Sequence, residues 1–165
     1  MGRLKMIPCA YIFDIDGTLA DCSQRLHFIE PADNATFTYD GKLEFNPDWE
    51  SFYEACIDDK PIEGVIETLK LLSHTGIKIL LVTGRPKKYL AQTLAWLLKQ
   101  NIKFDGIYMR EDGDHRQDYI VKHELYMNYI SKSYAIQGVF EDRKQCVDMW
   151  RGLGLTCFQV ANGEY

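Results

Sequence analysis

The chain has 165 residues, 46% of them hydrophobic and 26% charged, with a formal net charge of −5. That length predicts one domain whose core needs no disulfide or structural metal. The acidic balance excludes broad, nonspecific coating of nucleic acid, which needs a basic surface, but leaves room for a small basic cleft or a bound metal that brings its own positive charge.

The five cysteines, Cys9, Cys22, Cys56, Cys146 and Cys157, are scattered and form no C-x-x-C pair. That pattern argues against a disulfide framework or a zinc site and fits a reducing compartment. No apolar run is long enough to span a membrane, and "MGRLKMIPCAYIF" runs into Asp14 without a separate cleavage site. The expectation is a cytoplasmic protein with no membrane partner.

In chain order, "MIPCAYIF" is continuously apolar and predicts a buried strand. Residues 20–60 break the pattern and predict a loop or small hairpin around Asp40-Gly41. Within that segment, "PDWESFYEACIDD" predicts a helix opened by Pro47 or Asp48, with Trp49, Phe52, Tyr53 and Cys56 on one face. At that spacing the aromatic residues are expected to be buried; stacking on a nucleobase is the alternative.

From Pro61 the chain alternates regularly. "PIEGVIETLKLLSHTG" predicts a helix with Pro at its start and Gly76 past its end, and "IKILLVTG" a second buried strand. There follow a helix in "RPKKYLAQTLAWLLKQN", a strand in "FDGIYM", the polar loop "REDGDHRQD" and a helix in "YIVKHELYMNYISK". The strand "AIQGVFED", the helix "RKQCVDMWRGLG" and the strand "LTCFQVA" close the chain. The expected fold class is α/β, a doubly wound, Rossmann-like parallel sheet with helices on both faces.

In such sheets function sits beyond the carboxyl ends of the strands. The first strand ends at Asp14-Ile15-Asp16, the second at Thr83-Gly84-Arg85, the fourth at Glu141-Asp142-Arg143, and Lys122 lies near the start of the third regular helix. Several carboxylates gathered at one edge repel one another. A hard divalent cation such as Mg²⁺ relieves that repulsion, because it prefers oxygen ligands. The nearby donors Thr83, Lys122, Arg25 and Arg85 suit a phosphate beside such a cation.

"DIDGTLAD", "LVTGR", Lys122 and "FEDR" resemble the four ordered motifs of the haloacid-dehalogenase (HAD) superfamily, over essentially the whole chain. Arg25, Arg85, Asp118 four residues before Lys122, and the ending "CFQVANGEY" resemble more closely the 3′-phosphatase domain of bifunctional polynucleotide kinase–phosphatases. Glu141 departs from the Asp usual there. The resemblance implies a single HAD-like phosphatase domain over 1–165 with a small cap insertion at about 20–60.

It also implies a Mg²⁺-dependent phosphomonoesterase acting on nucleic-acid 3′-phosphate ends. Asp14 would be the nucleophile and form an aspartyl-phosphate, Asp16 the general acid–base, and Thr83 and Lys122 the other catalytic groups. Arg25, Gly84, Arg85 and Asp118 would serve the substrate, with Asp118 orienting Lys122. Asp14, Asp16 (through its carbonyl), Asp142 and, less directly, Glu141 would hold the metal. For Arg25 and Arg85 a structural ion pair is the competing reading. No Walker-type phosphate loop occurs, so a kinase or ligase activity would come from a separate partner. The rival functions are a phosphatase of free nucleotides or other small phosphate esters, and a noncatalytic binding module on the same fold.

Overall fold

Five strands form one parallel sheet in the computed structural model, which describes residues 7–30 and 45–163. The elements in chain order are β1 (Cys9–Phe13), β2 (Ala20–Asp21), α1 (Trp49–Glu54), β3 (Lys60–Pro61), α2 (Glu63–Ser73), β4 (Lys78–Pro86) and α3 (Leu90–Lys99). They continue with β5 (Gly106–Arg110), α4 (Asp118–Leu125), β6 (Ala135–Arg143), α5 (Lys144–Gly152) and β7 (Cys157–Gly163). The sheet order is β5-β4-β1-β6-β7, with every neighbour parallel. The order reverses between β1 and β6, which opens a crevice at their carboxyl ends.

Strand alternation sends successive residues to opposite faces, and the core divides accordingly. Ala10, Ile12, Leu80 and Val82 face the side covered by Val121 and Leu125 of α4 and Val147 and Trp150 of α5. Phe13, Ile79 and Leu81 face the side covered by Ile66 and Leu69 of α2 and Trp96 and Leu97 of α3. Trp96 and Trp150 are completely buried, one in each layer. Truncating either to Ala would cost about 3–5 kcal/mol.

The expected elements are present with shifted ends. The first strand begins at Cys9, and Ile7 is exposed. Asp48 opens α1, its side chain accepting from the Ser51 N–H. The helix after the polar loop closes in a π turn, Tyr126–Ile130. Gly76 turns the chain beyond α2 with φ +83°, a conformation glycine adopts without steric cost. Cys22, Cys56, Cys146 and Cys157 are buried free thiols, whereas Cys9 is exposed.

One element was not expected. β2 and β3 pair antiparallel, Ala20 with Pro61 and Asp21 with Lys60, and so join the two ends of the segment 20–61. The hairpin expected around Asp40-Gly41 lies outside the described residues. Among the described residues, no helix is long and apolar enough to cross a membrane.

Candidate active site

The turn after β1 builds the first wall of the crevice. Gly17 takes φ +80°, which lets the chain leave the strand sharply. Asp14 stays buried at the strand end, and its N–H donates to the Phe140 carbonyl of β6 at 3.1 Å. Asp16 keeps 19% of its side chain exposed. The Thr18 hydroxyl donates to Asp142 Oδ1 at 3.2 Å, so the motif on one strand orients an acid on the neighbouring one. Asp14, Glu141 and Asp142 are all buried, with one oxygen of each within 4.8 Å of the others.

Lys122 lies beneath this acid group, completely buried. Its Nζ is 3.0 Å from Asp14 Oδ1, 3.0 Å from Asp118 Oδ2 and 2.8 Å from Glu141 Oε2. The i, i+4 spacing on α4 places Asp118 one turn before the lysine. Trp150 Nε1 also approaches Glu141 Oε2 at 3.5 Å. Burial pushes the Asp14 carboxyl well above the usual carboxylate range, and Glu141 and Asp142 add to this while Lys122 opposes it. Burial likewise raises Glu141. Burial would lower the Lys122 ammonium, but Asp118 and Asp14 outweigh it and hold the lysine charged.

The end of β4 supplies the next wall. A Cβ at Gly84 would lie 2.1 Å from Asp118 Oδ1, so only glycine lets the carboxylate come so close to the backbone. Thr83 is completely buried, its Oγ1 accepting from the Arg85 N–H at 3.2 Å. Arg110, which the motif reading did not single out, donates from Nε to the Gly84 carbonyl at 2.7 Å and reaches Asp118 Oδ1 at 3.2 Å. It thereby ties the end of β5 to β4 and α4.

For Arg25 and Arg85 the sequence left substrate contact and a structural ion pair as alternatives, and both side chains are completely buried and form ion pairs. Arg85 NH2 is 2.6 Å from Asp16 Oδ1 and 3.3 Å from Asp59 Oδ2. Arg25 NH2 bonds Asp16 Oδ1 and lies 2.8 Å from Asp59 Oδ2. Burial would raise the Asp16 carboxyl, but Arg85 and Arg25 outweigh it and hold the group well below the usual range. Asp59 carried no sequence signal; it is the second of two adjacent acids, Asp58 and Asp59, just before β3, and its role depends on tertiary contacts.

A cleft of about 610 Å³ opens over Asp14, Asp16, Gly84 and Asp118. The aromatic residues of the insertion divide across it. Phe52 is buried beneath the Arg25 guanidinium, 4.1 Å from its ring centroid. Trp49 lines the cleft with 46% of its surface exposed. It stacks on Tyr53, which continues to Tyr89. The expectation of a buried aromatic face therefore holds for Phe52 and fails for Trp49. Lys88, Arg110, Arg116 and Arg143 supply positive charge to the lining, and the exposed His115 also lies there.

The family described as polynucleotide kinase PNKP phosphatase domain matches residues 35–165. A protein of Autographa californica nuclear polyhedrosis virus, described as a bifunctional polynucleotide kinase/RNA ligase, is 31% identical over 157 residues, which are 93% of this chain and 19% of that protein. A chain in the structure of the Pnkp1/Rnl/Hen1 complex is 32% identical with a TM-score of 0.76, over 98% of this chain and 48% of that one. The tungstate-bound class C acid phosphatase from Bacillus anthracis shares the fold at 17% identity and a TM-score of 0.67, over 97% of this chain and 69% of that one. This chain thus spans about half of the structural relative and a fifth of the viral protein.

Proposed function

The chain belongs to the polynucleotide kinase PNKP phosphatase domain family and is a HAD-type phosphatase, and we propose that it removes 3′-phosphate groups from nucleic-acid ends with Mg²⁺ and a covalent aspartyl-phosphate. The observation that carries this reading is Asp14, held at a strand end 3.0 Å from a buried lysine and grouped with two further acids. The donor set fits Mg²⁺, because three buried carboxylates within 4.8 Å of one another offer hard oxygen ligands and repel one another without a cation. Asp14, Asp142 and the Asp16 carbonyl would hold the ion, with Glu141 behind them paired to Lys122. Bound there, Mg²⁺ would offset the charge of nucleophile and phosphate.

The protein's own residues then divide the work. An Asp14 oxygen attacks phosphorus, forming an O–P bond as the bond to the substrate's 3′ oxygen breaks. The Lys122 ammonium and the Gly84 N–H stabilise the transferring oxygens, with Thr83 behind them. Asp118 fixes the lysine. Asp16 gives a proton to the leaving oxygen and recovers one from the water that hydrolyses the acyl phosphate. The two arginines favour the ionised form of Asp16, which suits the second step. In the first, the arriving phosphate's negative charge offsets their field.

The insertion would act as a cap, with Trp49 as a shelf for the terminal base and Lys88 and Arg116 near a neighbouring phosphate. The 3′-hydroxyl product is what a ligase requires, so a kinase or ligase acting on the same ends is the expected partner activity. The test is side-by-side kinetics on 3′- and 5′-phosphorylated oligonucleotides and the matching mononucleotides, with Mg²⁺ and with chelator. We expect Mg²⁺-dependent turnover with the oligonucleotide 3′-phosphate preferred. A 5′-mononucleotide as the best substrate, with the oligonucleotide 3′-end ignored, would replace this reading with a small-molecule phosphatase.

A further inference from the structure

The insertion and the acid–base residue share a closed set of charges. Asp59 follows the 3₁₀ turn Ala55–Asp58 and directly precedes β3. Its backbone is pinned from outside, since the completely buried Trp96 donates from Nε1 to the Asp59 carbonyl at 2.8 Å. Its carboxylate is completely buried. Oδ1 accepts from Arg25 Nε at 2.9 Å and Gln24 Nε2 at 3.3 Å; Oδ2 accepts from Arg25 NH2 at 2.8 Å and Arg85 NH2 at 3.3 Å.

The guanidinium groups are also held from the side. Arg25 NH1 donates to the Phe52 carbonyl at 3.2 Å, and Arg85 NH1 to Thr93 Oγ1 at 3.3 Å. What remains of both forks points at Asp16. Oδ1 of Asp16 accepts from Arg25 NH2 and from Arg85 NH2 and Nε, whereas Oδ2 accepts, among the described residues, from Arg85 Nε at 3.0 Å. One oxygen is thus saturated and the other keeps a lone pair, in a side chain that reaches the cleft. Two arginines and two aspartates balance in charge. Without Asp59, two positive groups would share a single carboxylate and repel each other across it.

We propose that Asp59 is a positioning residue for the acid–base step: it divides the two guanidinium forks between itself and Asp16, and so leaves Asp16 Oδ2 aimed at the leaving oxygen. This rests on the acid–base role of Asp16 proposed above. It ties the foot of the insertion to the chemistry through a charge network, with no contact between Asp59 and substrate.

The test compares wild type, Asp59→Asn and Asp16→Asn by kcat/KM, which covers the reaction through cleavage of the ester bond. The substrates are 4-nitrophenyl phosphate, whose leaving group needs little protonation, and a 3′-nucleotide, whose alcohol needs a proton. Asp59→Asn should lose about tenfold more on the 3′-nucleotide than on the aryl ester, a part of the roughly 10²–10⁴-fold a general acid supplies. KM should change little, and Asp59→Glu, which restores the charge, should recover part of the loss. Equal losses on both esters, or none, would make Asp59 a purely structural counter-ion and overturn the proposal. If Asp59→Asn does not fold, Asp59→Glu carries the same comparison: a selective loss supports the proposal and a uniform one refutes it. Asp16→Asn separates the two readings. If it too lacks the leaving-group dependence, the acid–base role fails and Asp59 with it; if only Asp59→Asn lacks it, the role of Asp59 alone fails.

Discussion

Replacing Lys122 with Met keeps most of the side-chain volume and removes one charge from a site with no solvent to compensate. Three carboxylates lie within about 3 Å of the ammonium, on Asp14, Asp118 and Glu141. Removing one partner of a buried ion pair costs about 3–5 kcal/mol, because the other charge is left desolvated and alone. At about 2–4 °C per kcal/mol for a chain of this size, Lys122→Met should melt roughly 6–20 °C below wild type at pH 7.5.

The deficit should depend on pH in one direction. Folded Asp14 and Glu141 hold protons more readily than the unfolded chain, so their contribution is fullest below about pH 4 and falls as pH rises through the folded-state values. Asp118 is shifted the other way: burial opposes, but Lys122 and Arg143 outweigh it and lower the carboxyl. Its stabilisation is present above about pH 4 and is lost as pH falls through its lowered value. Deleting Lys122 worsens both at neutral pH, so the gap from wild type should narrow as the pH is lowered toward 4.5. Thermal melts by circular dichroism at both pH values, without added metal, read this directly. The same variant should lose about 10²–10³-fold in kcat/KM on an aryl phosphate, the worth of a preorganised donor. A melting point within 2 °C of wild type at pH 7.5, or a deficit that does not change with pH, would refute the reasoning.

Asp14→Asn should stay folded yet show no turnover and no burst of released phenol, because an amide cannot act as the carboxylate nucleophile; near-normal activity in that variant would sink the covalent route. Trp49→Ala should weaken binding of a 3′-phosphorylated oligonucleotide by about 1–3 kcal/mol, the worth of one base stacked on an aromatic ring, and leave KM for an aryl phosphate close to wild type. Equal effects on the two substrates would show that the exposed ring shapes the cap and does not read the strand.

Most of the fold was legible because strand and helix alternate with clear periods, and the strand ends then fix where polar residues meet. Asp14, Asp142 and Lys122 come together for that reason. Thr18 was visible as part of the same motif, but its bond to Asp142 needed the β1–β6 register. β2 and β3 were missed because a two-residue strand carries no periodicity. Helical spacing put Trp49, Phe52 and Tyr53 on one side of α1 but could not say that Phe52 meets Arg25 while Trp49 meets an open cleft. Arg25 and Arg85 were ambiguous because a guanidinium suits a phosphate and a buried carboxylate equally well. Asp59 is the buried carboxylate that pairs with both, and its proximity to them comes only from the path of the chain.

The placement of β1 between β4 and β6 has a consequence for how activity arises in time. Thr18 and Asp142 are bonded across 124 positions, so the acid group is divided between two sheet neighbours that lie far apart in sequence. Long-range parallel pairing of this kind closes slowly, since the entropy of the intervening loop is lost before any contact compensates it. During synthesis Asp14 would emerge well before Asp142, and the acid group would stay incomplete until β6 arrives. The Asp14 amide, bonded to the Phe140 carbonyl, marks that event: its protection from hydrogen exchange during refolding should rise together with catalytic competence.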